Sequence, residues 1–317
     1  MRGVRRRGVR AVLRKLVERV RPSGQGRREC ADGRAGAPLL VHVHIPKCAG
    51  STFKRILSLT FGERHQDWYS EDPFFFFEAE EIASRLAQHP EIASIASHSI
   101  RSFPQRMGER VPLYVTFLRN PIDQFVSYIT FLKKNKPHLT ETHRLYVPPD
   151  VDLMTVRDIA HWLVGNEHEV PFKSNYTVRF LSEIEFRRHT ASLTELLDGR
   201  EASALRDLYE RVALDLAVAV LERFFFVGIV EEMENSVALV GERLKQRGLE
   251  LGCADFRREN VSEHFRGDLG WLDESDAVGR LVFQSLAKDV RLYEHFRERL
   301  YPHSPRTDAG GRDVTVV

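Results

Sequence analysis

One short segment constrains the fold of this 317-residue chain more than any other. In residues 41–53, an apolar run ends at Pro46, and a turn of small residues that begins with Lys47 follows at once. The apolar run predicts a buried β-strand, and the residues after the turn predict a helix. The pattern therefore indicates a strand, a tight loop and a helix, which is a basic unit of α/β folds.

The loop in this unit is suited to binding an anion. A helix N-terminus offers unpaired amides and the positive end of the helix dipole, and Lys47 adds a full positive charge. The candidate binding residues after Lys47 are Cys48, Ala49, Gly50, Ser51 and Thr52. Gly50 and Ser51 could equally begin an ordinary helix, so the loop alone leaves both interpretations open.

A second strand later in the chain ends in an arginine. Residues 112–119 form another apolar run that ends at Arg119, and Pro121 begins a segment with apolar residues at helical spacing. Ser127 lies about two turns into that predicted helix. Arg119 as a two-pronged donor and Ser127 as a hydroxyl donor could reach the same phosphate. A structural ion pair for the arginine and a solvated position for the serine are the alternatives.

Together, segments 44–52 and 117–128 resemble the two phosphate-binding motifs of the sulfotransferase family that includes heparan sulfate 2-O-sulfotransferase and its bacterial relatives. The similarity covers roughly residues 39 to 300 and includes three later segments, at 175–181, 226–232 and 289–293. The resemblance implies an α/β fold in a single domain, with a central parallel sheet flanked by helices and a P-loop-like nucleotide-binding site.

The resemblance also implies a reaction. The donor would be 3′-phosphoadenosine 5′-phosphosulfate (PAPS), whose sulfuryl group passes in line to a hydroxyl, usually on a carbohydrate. The Lys47 loop would hold the 5′-phosphosulfate, and Arg119 with Ser127 would hold the 3′-phosphate. Lys47 would then neutralise the charge that develops on the leaving oxygen, as preorganised donors do. We expect neither a metal ion nor a nucleic-acid partner.

A histidine is expected to remove the proton from the acceptor hydroxyl. The chain has thirteen histidines, and position favours His98, which ends a short apolar run at 92–98. In the family, this place between the two phosphate motifs carries the histidine that acts as base, although Gly-His often stands where this chain has Ser97-His98. We expect enzymatic activity to fall at acidic pH, with an apparent pKa near the ordinary pKa of histidine. A structural histidine bonded to the backbone is the alternative.

Other residues and segments bear on ligand binding. The resemblance implies that the loop around 257–264 closes over the nucleotide, where Ser262 adds a phosphate contact and Arg258 adds charge. His42 and His44 alternate along the first strand and are expected to serve mainly in packing. Segments 62–90 and 137–172 would choose the acceptor, and their residues leave its identity open.

Several other functions fit less well. A tyrosine phosphatase would use Cys48 as a thiolate, but its loop needs an arginine six residues later, where this chain has Lys54. A Walker loop needs a serine or threonine directly after the lysine to hold Mg²⁺, and Cys48 occupies that place. A non-catalytic nucleotide-binding protein and a membrane-peripheral adaptor stay open as alternatives.

The chain is expected to comprise a basic, flexible arm at 1–38, a sulfotransferase-like domain at 39–303 and a disordered tail at 304–317. The first 36 residues hold twelve Lys/Arg and three Asp/Glu, and the arm could form a basic amphipathic helix at an anionic membrane. No segment approaches the roughly 18 apolar residues of a membrane span, and the three cysteines show no disulfide framework. We expect a cytoplasmic, bacterial enzyme of undetermined oligomeric state.

Overall fold

The computed structural model describes residues 36–69, 76–100, 102, 107–135, 147–148, 150–166, 173–182, 211–252, 269–302, 306–307 and 313–314. The predicted arm at 1–38 lies almost wholly outside these described residues, and so do the candidate contacts Arg258 and Ser262.

In the described part of the chain, a five-stranded sheet forms the centre of the fold. Its strands are β1 (Pro38–Val43), β2 (His65–Asp67), β3 (Ser94–Ser97), β4 (Val111–Leu118) and β5 (Phe226–Ile229). They lie in the order β2-β3-β1-β4-β5, and every pairing is parallel. The predicted α/β fold with a central parallel sheet is therefore confirmed.

The strand order also indicates where a ligand binds. From β1 the chain first builds β2 and β3 on one side of the sheet, then crosses over to build β4 and β5 on the other side. In open α/β sheets, ligands bind beyond the carboxyl ends of the strands at such a reversal. The carboxyl ends of β3, β1 and β4 are thus the expected place for the site.

Helices cover both faces of the sheet. They are α1 (Gly50–Phe61), α2 (Ala79–Gln88), α3 (Pro121–Asn135), α4 (Val156–Gly165), α5 (Tyr176–Leu181), α6 (211–221), α7 (Met233–Lys245), α8 (Ala277–Ser285) and α9 (Ala287–Leu300). Adjacent residues of β1 point to opposite faces: Leu40 packs in a cluster with α1 and α7, and Val41 in a cluster with α2, α6 and α9. Within the described part of the chain, none of the helices is long and apolar enough to cross a membrane.

The amino-terminal edge of the sheet is held by one arginine. Arg110 directly precedes β4, and its guanidinium donates to four backbone carbonyls, those of Ala37 (3.0 Å), Pro38 (3.0 Å), Pro90 (3.2 Å) and Ile92 (2.8 Å). These carbonyls belong to the segments that lead into β1 and β3. A single side chain therefore ties together the entries to three neighbouring strands.

Two further strands lie in the segment that was predicted to be a disordered tail. Arg306–Thr307 (β6) pairs antiparallel with Asp313–Val314 (β7). Four residues of 304–317 thus have a regular pairing that the prediction omitted, and the boundaries of the arm and tail stay predictions.

Candidate active site

The loop between β1 and α1 has an unusual backbone. Lys47 (φ 65°) and Ala49 (φ 52°) both adopt the left-handed conformation, which costs a non-glycine residue about 1–2 kcal/mol. Neighbouring side chains hold the loop in this shape: Gln124 Nε2 donates to the Pro46 carbonyl (2.8 Å), and Arg119 Nη1 donates to the Lys47 carbonyl (3.2 Å). The surrounding structure therefore imposes the conformation of the loop, as is common at functional sites.

The amides of this loop divide into two groups. The Cys48 amide donates to the Ile45 carbonyl (3.2 Å) and the Thr52 amide to the Ala49 carbonyl (3.0 Å), so both stabilise the turn itself. Gly50 and Ser51 are the first two residues of α1, where amides have no acceptor within the helix. Among the predicted loop residues, these two offer the amides best placed for an anion.

Gly50 and His44 fit against each other. A Cβ atom on Gly50 would lie 1.7 Å from His44 Nε2, so residue 50 has no room for a side chain. The His44 ring is buried, and burial, followed by the charge of His98, lowers its pKa well below the ordinary value. A neutral imidazole therefore packs against the N-terminus of α1, in agreement with the packing role expected from the sequence.

Lys47 and Ser127 both face the region between the loop and α3. Lys47 Nζ lies 4.7 Å from the centroid of the Phe131 ring, and burial, reinforced by Arg119, lowers its pKa to about 8. Gln124, Ser127 and Phe131 share one face of α3 because they are three and four residues apart. The first and last of them contact the loop, so the buried Ser127 lies on the face of α3 that is turned toward it.

His98 directly follows β3 and is oriented by the backbone of the first strand. Its Nδ1 donates to the His44 carbonyl (2.5 Å), since a carbonyl can only accept, and this leaves Nε2 as the acceptor in the neutral ring. Burial lowers the pKa of His98 to about 4, against the opposing effect of this hydrogen bond. The pKa of His98 thus lies below the ordinary histidine value that was expected from the sequence, although the ring is only partly buried.

The structure thus brings together several predicted residues at one edge of the sheet. Lys47, Arg119 and Ser127 surround the loop, and His98 packs against His44 at a distance of 4.1 Å between ring centroids. The roles assigned to these residues stay predictions.

The thiol of Cys48 is not suited to nucleophilic chemistry. The residue is only 2% exposed, and burial raises the pKa of the thiol far above its ordinary value. A phosphatase of the kind considered above needs a thiolate at neutral pH. Cys48 instead belongs to the apolar cluster on one face of the sheet.

A chain of hydrogen bonds connects the loop to the last long helix. Thr177 Oγ1 donates to Gln124 Oε1 (2.9 Å), and Gln124 in turn holds the Pro46 carbonyl. Asp289 accepts from the amides of Thr177 (3.1 Å) and Val178 (2.8 Å), while Asn175 Oδ1 accepts from the amides of Lys288 (2.8 Å) and Asp289 (3.2 Å). Segments 175–181 and 289–293 of the resemblance are therefore connected to the loop by hydrogen bonds. Gln124 joins the two parts, and this role was not predicted from the sequence.

Glu231 fixes the start of α3 in a similar way. Its carboxylate accepts from the Asn120 amide (2.9 Å) and the Tyr293 hydroxyl (3.0 Å), and Asn120 Oδ1 accepts from the Ile122 amide (3.0 Å). Burial raises the pKa of Glu231. These contacts hold the turn that follows Arg119.

Three residues near His98 were not singled out from the sequence. Lys54 of α1 donates to the Tyr69 hydroxyl (2.8 Å) and pairs with Asp67 of β2 (2.6 Å), and the Tyr69 ring centroid lies 5.2 Å from that of His98. No motif marks them, because the parallel pairing of β2 with β3 brings Asp67 and Tyr69 beside His98, and Lys54 reaches the same place from α1. Asp67 and Tyr69 lie in segment 62–90, which was expected to choose the acceptor, whereas Lys54 lies outside it.

The fold and site define a P-loop-like α/β protein, in which the Lys47 loop after the first strand contacts an arginine that follows the fourth. The chain belongs to the sulfotransferase family, because the model of the Sulfotransferase family matches residues 35–211, which is more than half of its length. The matched range includes Lys47, His98, Arg119 and Ser127. No curated protein matches the chain. Family membership identifies the protein as an enzyme that transfers a sulfuryl group.

Proposed function

We propose that this sulfotransferase uses PAPS as its donor and a carbohydrate hydroxyl as its acceptor. The observation that carries the proposal is the placement of the Lys47 loop, Arg119 and His98 directly after β1, β4 and β3, which are neighbours in the sheet. PAPS has an anionic group at each end of its ribose. At the carboxyl-terminal edge of the sheet, Lys47 would bind the 5′-phosphosulfate and Arg119 the 3′-phosphate. His98 would act as the neutral base beside them.

The donor would be held from both of its anionic ends. Lys47 and the amides of Gly50 and Ser51 would bind the 5′-phosphosulfate, as helix N-termini bind anions. Arg119 uses one of its five N–H groups on the Lys47 carbonyl and has others to offer to the 3′-phosphate, with Ser127 on the facing side of α3. Arg258 and Ser262 stay predicted contacts to the same nucleotide.

The proposed transfer exchanges one sulfur–oxygen bond for another. The acceptor oxygen attacks sulfur, the bond between sulfur and the 5′-phosphate oxygen breaks, and 3′-phosphoadenosine 5′-phosphate (PAP) leaves. His98 Nε2 takes the acceptor's proton, which is possible because its lone pair is free in the neutral ring that Nδ1 holds in place. Lys47 neutralises the charge that builds up on the departing phosphate oxygen.

A direct test is to incubate the purified protein with ³⁵S-labelled PAPS and an extract of cells that produce it. We expect label in material that glycosidases degrade, and no labelled product with His98→Ala. His89→Ala is the matched control, since His89 lies at the end of α2 with an exposed side chain, which pairs at the surface with Glu91 (3.3 Å). Label in protein or lipid without sugar would reject a carbohydrate acceptor, and absence of any transfer from PAPS would reject the donor.

A further inference from the structure

Tyr69 places an open aromatic face beside the candidate base. It follows β2 and is 41% exposed, although large aromatic side chains usually bury most of their surface. Its ring is inclined at 50° to the His98 ring, with 5.2 Å between the centroids. One part of the ring therefore contacts the base, while another part is accessible to a ligand that approaches the base.

The ring is held firmly although it is exposed. Lys54 Nζ donates to its hydroxyl (2.8 Å) and also lies 4.7 Å from the ring centroid. Lys54 is in turn paired with Asp67 at 2.6 Å, and the two are carried by α1 and β2. A ligand that stacks on Tyr69 thus meets a surface that is already ordered, which reduces the entropic cost of binding.

The polar groups at the rim of the ring carry almost no net charge. Burial raises the pKa of Asp67, but the nearby His65 ring (3.4 Å) and the pairing with Lys54 outweigh it, and the pKa of Asp67 is lowered. For Lys54, hydrogen bonds to Asp67 and Tyr69 outweigh burial and raise its pKa. Both groups are ionised at neutral pH, so their charges cancel and the rim suits a neutral ligand.

We propose that Tyr69 is the platform for the acceptor, and that the acceptor unit in this place is a neutral pyranose ring. A pyranose has a flat face of C–H groups and a rim of hydroxyls. The Tyr69 ring supplies a rigid apolar surface for the first, and Asp67 and Lys54 supply hydrogen-bond partners for the second. Stacking there brings a hydroxyl to His98 Nε2. This inference rests on the proposed function and adds the class of sugar unit to it.

The test compares binding of simple sugars to variants of Tyr69. Saturation-transfer NMR is recorded with methyl β-D-glucopyranoside, methyl β-D-galactopyranoside, methyl β-D-glucuronide and p-nitrophenol, on the PAP-loaded protein and on the nucleotide-free protein. We expect at least one neutral pyranoside to bind more strongly than the glucuronide or the phenol, through its C–H face. Tyr69→Phe should keep that binding within about threefold, whereas Tyr69→Leu and Tyr69→Ala should weaken it at least tenfold.

Several results would contradict the proposal that Tyr69 binds the acceptor sugar. These are unchanged sugar binding in Tyr69→Ala, an equal loss in Tyr69→Phe, stronger binding of the phenol or the glucuronide, and no sugar binding at all. PAP affinity, measured in the same samples, should change less than twofold in every Tyr69 variant and so reports that the fold is intact. Failure of the unaltered protein to bind PAP would reject the proposed donor instead, so the two failures are distinguishable.

Discussion

The two edges of the central sheet are built for different tasks. At the amino-terminal edge, Arg110 donates to four carbonyls and leaves the strand entries well satisfied. At the carboxyl-terminal edge, Lys47 and Ala49 hold left-handed conformations, and the pKa values of the buried His44 and the partly buried His98 are lowered. The first edge contributes stability, and the second holds reactive groups at some cost in stability.

This difference shows how one sheet can serve both needs. Strain and buried titratable groups persist only where the surrounding structure holds them, and here Gln124 and Arg119 supply that support. Substitutions at the carboxyl-terminal edge should therefore affect chemistry more than stability, and substitutions at the opposite edge should do the reverse.

The largest effect is expected for His98→Ala, which removes the base and should lower kcat/KM about 10²- to 10⁴-fold. In the unaltered protein, protonation of His98 abolishes its function, and because its pKa is lowered to about 4, activity should persist well below pH 6. A pH profile of kcat/KM checks this. If kcat/KM of His98→Ala still decreased at low pH as it does in the unaltered protein, the decrease would be due to the protonation of another group.

Lys47→Ala should lower kcat about 10²- to 10³-fold, the usual effect of removing one donor to a developing oxyanion. Since the pKa of Lys47 is lowered to about 8, kcat/KM should also fall above that pH as the ammonium loses its proton. Thermal unfolding should barely change. Lys134→Ala, at the end of the same α3, is the control that should leave kcat intact.

Arg110→Ala tests the opposite edge. Loss of four hydrogen bonds from a charged donor should lower the free energy of unfolding by about 2–3 kcal/mol, measured by denaturant titration, while kcat of the folded protein stays near normal. Arg299→Ala is the control, because this arginine is 64% exposed in its side chain and contacts Glu222 only at 3.8 Å. If kcat fell as much as stability, the two edges would not be separable.

Gly50→Ala should lower both stability and activity, each by a smaller amount. The new Cβ would overlap the buried His44 ring, and such overpacking costs about 1–3 kcal/mol and should also displace the loop. Gly165→Ala is the matched control, since no atom of the part of the chain that the structure describes lies within 4 Å of its added Cβ. If Gly50→Ala were as stable and as active as Gly165→Ala, the His44 ring would have to move aside at no cost, which would contradict the close packing of His44 against Gly50.

The sequence predicted well those features that depend on local pattern. The apolar runs and Pro121 located β1, β3, β4 and α3, and Arg119 and His98 do directly follow strands. These features were accessible because strand length, buried runs and helix starts are encoded within a few residues.

Features that depend on tertiary packing were not accessible. The left-handed backbone at Lys47 and Ala49 runs against the preference of both residue types and is imposed by contacts from α3 and β4. The pKa of His98 depends on burial, which no local pattern gives. Asp67 and Tyr69 were missed because strand order, rather than sequence distance, places them beside His98, and Lys54 was missed because it joins them from α1.

The most direct test of the account is a calorimetric titration of PAP, without added metal, into the unaltered protein and Arg119→Ala. We predict micromolar binding to the unaltered protein and a loss of roughly tenfold or more in the variant, because a charge-assisted contact to the 3′-phosphate is removed. Adenosine 5′-phosphosulfate, which lacks that phosphate, should lose little. Absence of PAP binding, or equal losses for both nucleotides, would contradict the account.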